Sequence, residues 1–315
     1  MTAGVATLLL PAARRLGSAA PSAAVAIALG RADVRRGLGE GRRAQLLRHL
    51  HPVPQHWPVA ALTRQRDAGD AAGAAWLRAD PCRVQPDING ARLLGVGETL
   101  GLDARDAAQL LPALKPLFGD AGMPIDAPVP GRWYLRLPPS STLPQFTEPD
   151  DALGADLFEH LAQGPEGRRW RGLLSEAQVV LHNHPWNAQR LESGRPAINS
   201  LWFWGGGVLP DHVRPDHAQV CSDDEVAGGL ASLAGVARPL PACFETGEGG
   251  WLFDLVAMRD AHVLERDWLR PALDALRARD LHALHLDSAD GTVVTLARGQ
   301  RWRFWRRPAA RLVAA

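Results

Sequence analysis

The sequence has 315 residues, in which 35 lysines and arginines nearly balance 34 aspartates and glutamates. This length allows one large domain or two unequal ones, and the balance of charge excludes a global field that would recruit nucleic acid or an anionic membrane. The cysteines Cys82, Cys221 and Cys243 form no C-x-x-C pair, so neither a disulfide scaffold nor a structural zinc site is expected. Free thiols suit a reducing compartment, and we expect a cytoplasmic protein.

The first apolar segment, residues 5–10, predicts a buried strand. It is too short for the apolar region of an export signal or for a membrane span, so we expect no membrane partner. Helices are predicted at 19–29 and at 42–50. The prolines of 51–58 interrupt any helix, because each lacks an amide donor and restricts the residue before it, which predicts a boundary near residue 60.

The segment 74–137 follows the order strand, strand, helix, strand. Asp103 is placed to cap the helix, whose apolar residues recur at helical spacing. Because one face of this helix and the last strand are both apolar, we expect them to pack together. The small core predicted here is formed by Leu110, Leu114, Phe118 and Trp133.

A proline-rich stretch at 138–149 predicts a connector between two parts of the chain. We therefore expect an inserted α+β subdomain at 61–145. Residues 1–60 and 146–315 would then form an α/β core. The expected fold class is α/β, with a mixed sheet flanked by helices.

The C-terminal half alternates helices and strands. Residues 198–204 form a continuous apolar run, and we expect a central strand that ends before Gly205. Ser222 opens a capping box for one helix, and Asp267 is expected to cap another. The arginines and aromatic residues at 301–305 alternate, which predicts a strand with one packed face and one solvated face.

Polar residues gather at both ends of the apolar strand and predict a ligand site. An arginine there can hold a carboxylate or phosphate through two hydrogen bonds, and successive glycine amides can form a nest for an anion. We therefore expect a small anionic metabolite as the ligand. The residues of this predicted site are His184, Asn187, Arg190, Asn199, Gly205, Gly206 and Gly207.

Structural alternatives stay open at each of these positions. The three glycines are also typical of a tight exit from a strand. Arg190 could instead tie the start of its helix to a buried acid or to backbone carbonyls. His184, with Pro185 and Asn187, could form a rigid turn that sets this helix against the sheet.

Residues that can bind a metal ion are present, but their spacing in the sequence does not match that of a known metal site. His182 and His184 are two apart, without a third ligand nearby. A later loop could supply ligands from Asp211, His212, Asp216 and His217, followed by His285, Asp287 and Asp290. A two-metal site for phosphoryl transfer also needs an activated nucleophile, so we expect no metal and no cofactor.

An ordered set of motifs resembles archaeal-type cofactor-independent phosphoglycerate mutases. It comprises the run H-P-x-N-x-x-R at 184–190, the strand that leads into the glycines at 205–207, and two upstream segments at 76–80 and 132–136. This resemblance covers roughly residues 70–210. Together with the W-R-F-W-R tail at 302–306, the chain more closely resembles a bacterial group of regulatory proteins of the RpfE type.

The resemblance implies a reduced alkaline-phosphatase-like core. In that superfamily a strand ends in an Asp-Gly metal motif and a serine or threonine is the nucleophile, whereas here the first strand leads into the segment Leu10-Pro-Ala-Ala-Arg14. No catalytic residue is therefore expected. The resemblance implies a non-catalytic protein, regulatory in role, that binds a small anionic metabolite or a protein partner.

Two other functions stay open. One is an active, metal-dependent mutase or other phosphate-handling enzyme whose ligands lie elsewhere in the sequence. The other is a nucleic-acid-binding protein, because the tail interleaves arginines with Trp302, Phe304 and Trp305, as single-strand binding surfaces do. The alternation of the tail favours a packed strand, so nucleic acid is not the expected partner.

Overall fold

The computed structural model describes residues 4–17, 19–88, 90–138 and 141–312, which fall into two units. Unit 1 comprises Met1–Gln55 and Asp211–Ala315, and unit 2 comprises His56–Pro210. The strands are β1 Gly4–Leu10, β2 Asp33–Arg35, β3 Leu50–Val53, β4 Ala75–Asp87, β5 Gly90–Val96, β6 Ile125–Val129, β7 Arg132–Leu137, β8 Ser200–Val208, β9 His212–Pro215, β10 Gln219–Cys221, β11 Ala237–Arg238, β12 Gly250–Asp254, β13 Leu281–Ser288 and β14 Thr292–Ala297.

Helices lie between these strands in both units. The α-helices are α1 Ala23–Arg31, α2 Gly41–Leu47, α3 Val59–Ala68, α4 Ala104–Asp120, α5 Pro149–Ala152, α6 Leu157–His160, α7 Gly164–His182, α8 Trp186–Glu192, α9 Glu225–Leu233, α10 Ala261–Leu264 and α11 Arg270–Ala278. Short 3-10 helices lie at Ala13–Arg15, Gly97–Leu100 and Arg298–Trp302, and a π-helical turn at Glu265–Leu269 joins α10 to α11. Among the described residues, none of these helices is long and apolar enough to cross a membrane.

Unit 1 is built on a seven-stranded mixed sheet in the order β11-β10-β12-β1-β13-β14-β2. The strands from β11 to β13 run parallel, and β14 is antiparallel to both of its neighbours. The predicted buried first strand is confirmed, because Leu8 and Leu9 of β1 are fully buried between the helical layers. The mixed α/β fold class is likewise confirmed.

The register of this sheet brings two carboxylates to one edge. Leu9, near the carboxyl end of β1, is aligned with Asp254 on β12 and with Asp287 on β13. Parallel strands end at the same edge of a sheet, and this edge is where open α/β sheets place their ligands. The two aspartates therefore flank the end of the central strand.

Unit 2 is built on an antiparallel sheet in the order β5-β4-β7-β6, with β8 paired along β4. The helix predicted after Asp103 is α4, and the Asp103 side chain accepts a hydrogen bond from the amide of Asp106. The predicted core residues are buried within one cluster, together with residues of α7 and β8. This cluster includes Leu110, Leu114, Phe118, Trp133, Trp170 and Phe203.

The observed division of the chain differs from the predicted insertion at 61–145. Unit 2 extends to Pro210, because β8 hydrogen-bonds along β4 and Trp170 packs into the same cluster as the earlier residues. The proline-rich stretch predicted as a connector therefore lies within unit 2, between its two halves. Proline and serine content indicated a loop there, but not which sheet the next strand joins.

Three predicted elements are wrong. In the described chain β8 pairs with β4 alone, so it is not central, and it continues through the glycines to Val208. Asp260 rather than Asp267 caps the helical segment that leads into α11, since its carboxylate accepts the amide of His262. The segment 301–305 forms no strand; it contains the end of a 3-10 helix and a turn.

The tail at 302–306 carries exposed aromatic rings. Trp302, Phe304 and Trp305 are 66%, 78% and 69% exposed, respectively. Alternation of arginine with aromatic residues had predicted one packed face. That face is not formed, because no strand of the described chain lies beside this segment to pair with it.

Candidate functional site

A polar cluster lies at the carboxyl edge of the unit 1 sheet, and we call it the edge cluster. It combines residues of α2 and its C-terminal end with residues that follow or end β9, β10, β12 and β13. Both carboxylates at its centre are buried. Its members are Arg42, Gln45, Arg48, His49, His217, Ser222, Asp254 and Asp287.

Asp287 is fully buried and is held by a guanidinium fork. Arg48 donates from Nε to Oδ2 at 2.8 Å and from Nη2 to Oδ1 at 2.6 Å. Nε2 of His49 lies 2.8 Å from Oδ2. Burial alone would raise the pKa of this carboxyl, but the hydrogen bonds from Arg48 and His49 lower it below its ordinary value, so Asp287 is ionised at neutral pH.

Asp254 has a matching arrangement on the other side of β1. Its Oδ2 accepts hydrogen bonds from Arg42 and, at 2.6 Å, from the hydroxyl of Ser222. Arg42 also lies 3.3 Å from a carboxylate oxygen of Asp224. The Ser222 oxygen in turn accepts a hydrogen bond from the amide of Asp224 at 3.0 Å, so this hydroxyl both donates and accepts a hydrogen bond.

Helix α2 and its C-terminal end supply the two arginines of the edge cluster, which lie on one face of the helix. Arg42, Gln45 and Arg48 are three residues apart, which places them on the same side of the helix. The Gln45 amide donates to the carbonyls of Leu10 at 3.0 Å and of Asp287 at 2.7 Å. It thereby ties the ends of β1 and β13 together beneath the two arginines.

Two histidines extend the edge cluster from Asp287. Nδ1 of His49 lies 3.2 Å from Nε2 of His217, while Nε2 of His49 faces the carboxylate of Asp287. The His49 ring therefore bridges the Asp287 carboxylate and the ring of His217. Burial, together with the charge of the neighbouring His49, lowers the pKa of His217 to about 4, so His217 is neutral at pH 7.

The residues of the edge cluster do not fit a two-metal centre. Each buried carboxylate already has a guanidinium as its counter-charge, and a divalent cation beside that guanidinium would be repelled. In the part of the chain that the structure describes, no group of three or more His, Cys, Asp or Glu side chains is placed to hold a metal ion. Of the loop residues considered as ligands, Asp216 pairs with His51 at 3.1 Å, and His217 belongs to the histidine pair.

The predicted ligand site in unit 2 is occupied by internal bonds. Arg190 is fully buried, donates to Asp106, and also donates at 2.9 Å to the carbonyls of Pro196 and Leu100. Asp106 accepts a further bond from the indole of Trp186 at 2.8 Å. The guanidinium is therefore not presented to an anion, which corrects the predicted role of Arg190 and matches the buried-acid alternative.

The other polar residues of that predicted site also serve the backbone. The Asn187 amide bridges Leu181 and Ile198, donating to both carbonyls and accepting the amide of Ile198. Asn199 pairs with both backbone groups of Val84, at 2.9 and 2.7 Å. His184 accepts the amide of Trp186 at the start of α8. These contacts fix the loops around β8.

The three glycines are required by close packing. A Cβ atom on Gly205 would lie 2.9 Å from Val59, on Gly206 2.4 Å from Leu143, and on Gly207 2.8 Å from Pro58. Any side chain there would displace the start of α3 or the loop before α5. The glycines therefore allow this strand to lie against its neighbours, and their role as an anion nest stays a prediction.

Two upstream motifs meet in a buried network of unit 2. Arg78 on β4 donates to Asp80 at 2.8 Å, and the indole of Trp204 donates to the same carboxylate at 2.7 Å. The amide of Trp133 on β7 also points to Asp80, at 3.3 Å. This network joins β4, β7 and β8 across one sheet.

Sequence reasoning missed five residues of the edge cluster: Arg42, Gln45, Arg48, His49 and Asp254. A signal was present, because Asp254 and Asp287 each end an apolar strand, and aspartates at strand ends of an α/β protein meet at one edge. The three-residue spacing in α2 was a second signal. Neither signal shows which arginine pairs with which aspartate, since more than 200 residues separate Arg48 from Asp287.

No family model matches the chain. It is 29% identical over 146 residues to a probable 2,3-bisphosphoglycerate-independent phosphoglycerate mutase of Geobacter sulfurreducens, covering 45% of this chain and 34% of the relative. It is 39% identical over 155 residues to the corresponding mutase of Methanosarcina barkeri, covering 46% of this chain and 35% of the relative. The match thus spans about a third of each relative's length.

Similar solved structures include the cofactor-independent phosphoglycerate mutase of Thermoplasma acidophilum, with a TM-score of 0.40 and 12% identity over 94% of this chain and 90% of that one. The PH0037 protein of Pyrococcus horikoshii has a TM-score of 0.46 and 10% identity over 98% and 91% of the two chains. The sequence matches, over somewhat less than half of its length, make this chain a distant relative of cofactor-independent phosphoglycerate mutases.

Proposed function

We propose that the protein is a non-catalytic relative of the phosphoglycerate mutases, of the RpfE regulatory type, acting in the cytoplasm by binding a small anionic metabolite or a protein partner. One observation carries this proposal. Both buried carboxylates at the carboxyl edge of the parallel sheet, Asp254 and Asp287, are neutralised by arginines of α2 and its C-terminal end. The chain itself supplies the positive charge at that edge.

Phosphoryl transfer between the positions of a substrate requires metal ligands, a nucleophile and a base that activates it. The end of β1 offers Leu10 and Pro11, neither of which has a side-chain oxygen. The Ser222 hydroxyl donates to Asp254 and accepts a backbone amide. Both hydrogen bonds are structural, and neither activates the hydroxyl as a nucleophile. These contacts favour a cluster that stabilises the sheet edge.

The ion pairs have a structural reason to persist. A buried carboxylate without a partner loses several kcal/mol of solvation, and an arginine fork with further hydrogen bonds compensates for this loss. Gln45 adds two bonds to the ends of β1 and β13. A chain that has arginines here keeps its fold without a metal ion.

The test is turnover of the substrate named by the relatives. Purified protein, supplied with manganese or zinc, should not interconvert 2- and 3-phosphoglycerate, while the Methanosarcina barkeri mutase assayed in parallel serves as the positive control. Turnover that appears with added metal and disappears with a chelator would show that the protein is an active mutase and would overturn the proposal.

A further inference from the structure

We propose that a cavity in unit 1 binds an amphipathic organic anion, with an apolar body of about six to eight carbons and one carboxylate or phosphate group. The inference rests on the proposed ligand-binding function and names its site and ligand class. The cavity lies between α1, α11, the end of β14 and the turn Arg298–Trp302. None of its lining residues belongs to the edge cluster or to the site predicted around Arg190.

The floor of this cavity is apolar. It has a volume of about 160 Å³ and is lined by Ile27 and Ala28 of α1, Leu273 and Leu276 of α11, and Leu296 of β14. Ile27 is 39% exposed, although it stands beside leucines that are nearly buried. An apolar cavity of about 150 Å³ is large enough to hold a benzene ring, so this floor can bury a phenyl group or a short alkyl chain.

The rim of the cavity is cationic. Four arginines line it, namely Arg31, Arg277, Arg298 and Arg301, and no acidic residue is among the lining residues. Within the described residues, neither Arg298 nor Arg301 takes part in an ion pair. Arg277 pairs with Asp274 at 2.8 Å, but both side chains are more than half exposed, and such a pair is readily exchanged for another anion.

Arg31 provides the observation that points to a ligand. Its Nη1 donates to the carbonyl of Arg301 at 2.7 Å, whereas its Nε is buried and has no hydrogen-bond partner among the described residues. A buried donor on a charged group is costly to leave unsatisfied. An anionic group above the apolar floor would face the guanidinium of Arg31, which lines the cavity together with the other three arginines.

The two halves of the cavity together define the ligand class. A cation would be repelled by the arginines, and a small anion without an apolar body would leave the floor in contact with water. A neutral alcohol would fill the floor but would leave the arginines of the rim without an anionic partner. The cavity therefore selects a molecule that combines both features.

Isothermal titration calorimetry with octanoate as the probe tests the inference. Wild-type protein should bind octanoate, and octan-1-ol and octylammonium should bind much more weakly or not at all. The double variant Arg31→Met, Arg298→Met should weaken octanoate binding by about tenfold or more, because charged hydrogen bonds are lost. Arg15→Met, which removes an exposed arginine elsewhere in unit 1, should leave the affinity unchanged.

A space-filling variant supplies an independent control. Ala28→Phe should occupy the floor and abolish octanoate binding, and if it does not fold, the double arginine variant still decides the question. Absence of octanoate binding by the wild type, or equal affinity in the arginine variant, would overturn the inference. Mutase turnover is measured separately, so a failure of the cavity and a failure of the non-catalytic proposal give different results.

Discussion

Arg48 and Asp287 form a two-point ion pair at the edge of the unit 1 sheet, with both carboxylate oxygens engaged at 2.6 and 2.8 Å. Asp287 is fully buried, and the Arg48 side chain is 17% exposed. Such a pair is not expected to contribute much net stability by itself, because both groups lose hydration. Removing the arginine alone is expected to be strongly destabilising, because the charge of Asp287 then stays buried without its partner.

Replacing Arg48 by alanine is therefore expected to lower the free energy of unfolding by about 3–5 kcal/mol. Urea denaturation of wild type and variant measures this difference. Arg266→Ala is the matched control, because it removes an exposed arginine from a surface pair with Asp267 and should leave stability unchanged. A loss for Arg48→Ala no larger than that of the control would show that Asp287 does not depend on this guanidinium.

Substitution of His217 should change the pH dependence of stability. Its folded pKa of about 4 lies below the ordinary value of 6.5, so between these values the unfolded chain binds a proton that the folded chain does not. The free energy of unfolding should consequently fall as the pH is lowered from 6.5 to 4, by up to a few kcal/mol. In His217→Gln this component should be missing.

Denaturation curves of the two proteins at several pH values measure this effect. Burial also lowers the pKa of His285, but that group is present in both proteins and its contribution cancels in the comparison. Parallel stability profiles for wild type and His217→Gln between pH 6.5 and 4 would contradict the assignment of a buried, neutral His217.

Arg190 should prove to be a structural residue. Arg190→Ala leaves Asp106 buried with less of its counter-charge and removes bonds to two carbonyls, so we expect a loss of about 3–5 kcal/mol and a clearly lower melting temperature. Thermal-shift assays with phosphorylated three-carbon acids should show no response that depends on this arginine. A stable variant that has lost a ligand response of the wild type would restore the predicted anion site.

Leu114 tests the core of unit 2. It is fully buried in the cluster that contains Phe118 and Trp133, and truncation to alanine is expected to cost about 2–5 kcal/mol. Leu191→Ala, at a position that is 56% exposed, is the control and should cost far less. Similar losses for the two variants, measured by urea denaturation, would show that this cluster is not the core.

Local patterns in the sequence were sufficient for much of the fold. The apolar run at 5–10 specified β1, and Asp103 with the spacing of Leu110, Leu114 and Phe118 specified α4. Each of these signals involves residues less than 20 positions apart. Hydrophobic periodicity and helix caps act over such distances, which is why they can be recognised without the tertiary structure.

The candidate site could not be predicted in this way. Arg190 has the chemistry of an anion ligand, but its partner Asp106 is 84 residues away, and only the folded chain shows that this charge is already neutralised. Arg48 and Asp287 are farther apart still. The prediction of a strand in the tail was wrong for a related reason. The alternation around Phe304 leads to a strand only where a partner strand is available.

Binding of manganese or zinc to the purified protein tests the central claim most directly. The claim is that Arg42 and Arg48 supply the charge that compensates Asp254 and Asp287, so calorimetric titration with either metal should show no stoichiometric binding. Binding of one or two equivalents of metal that is lost in Asp254→Asn and Asp287→Asn would contradict it.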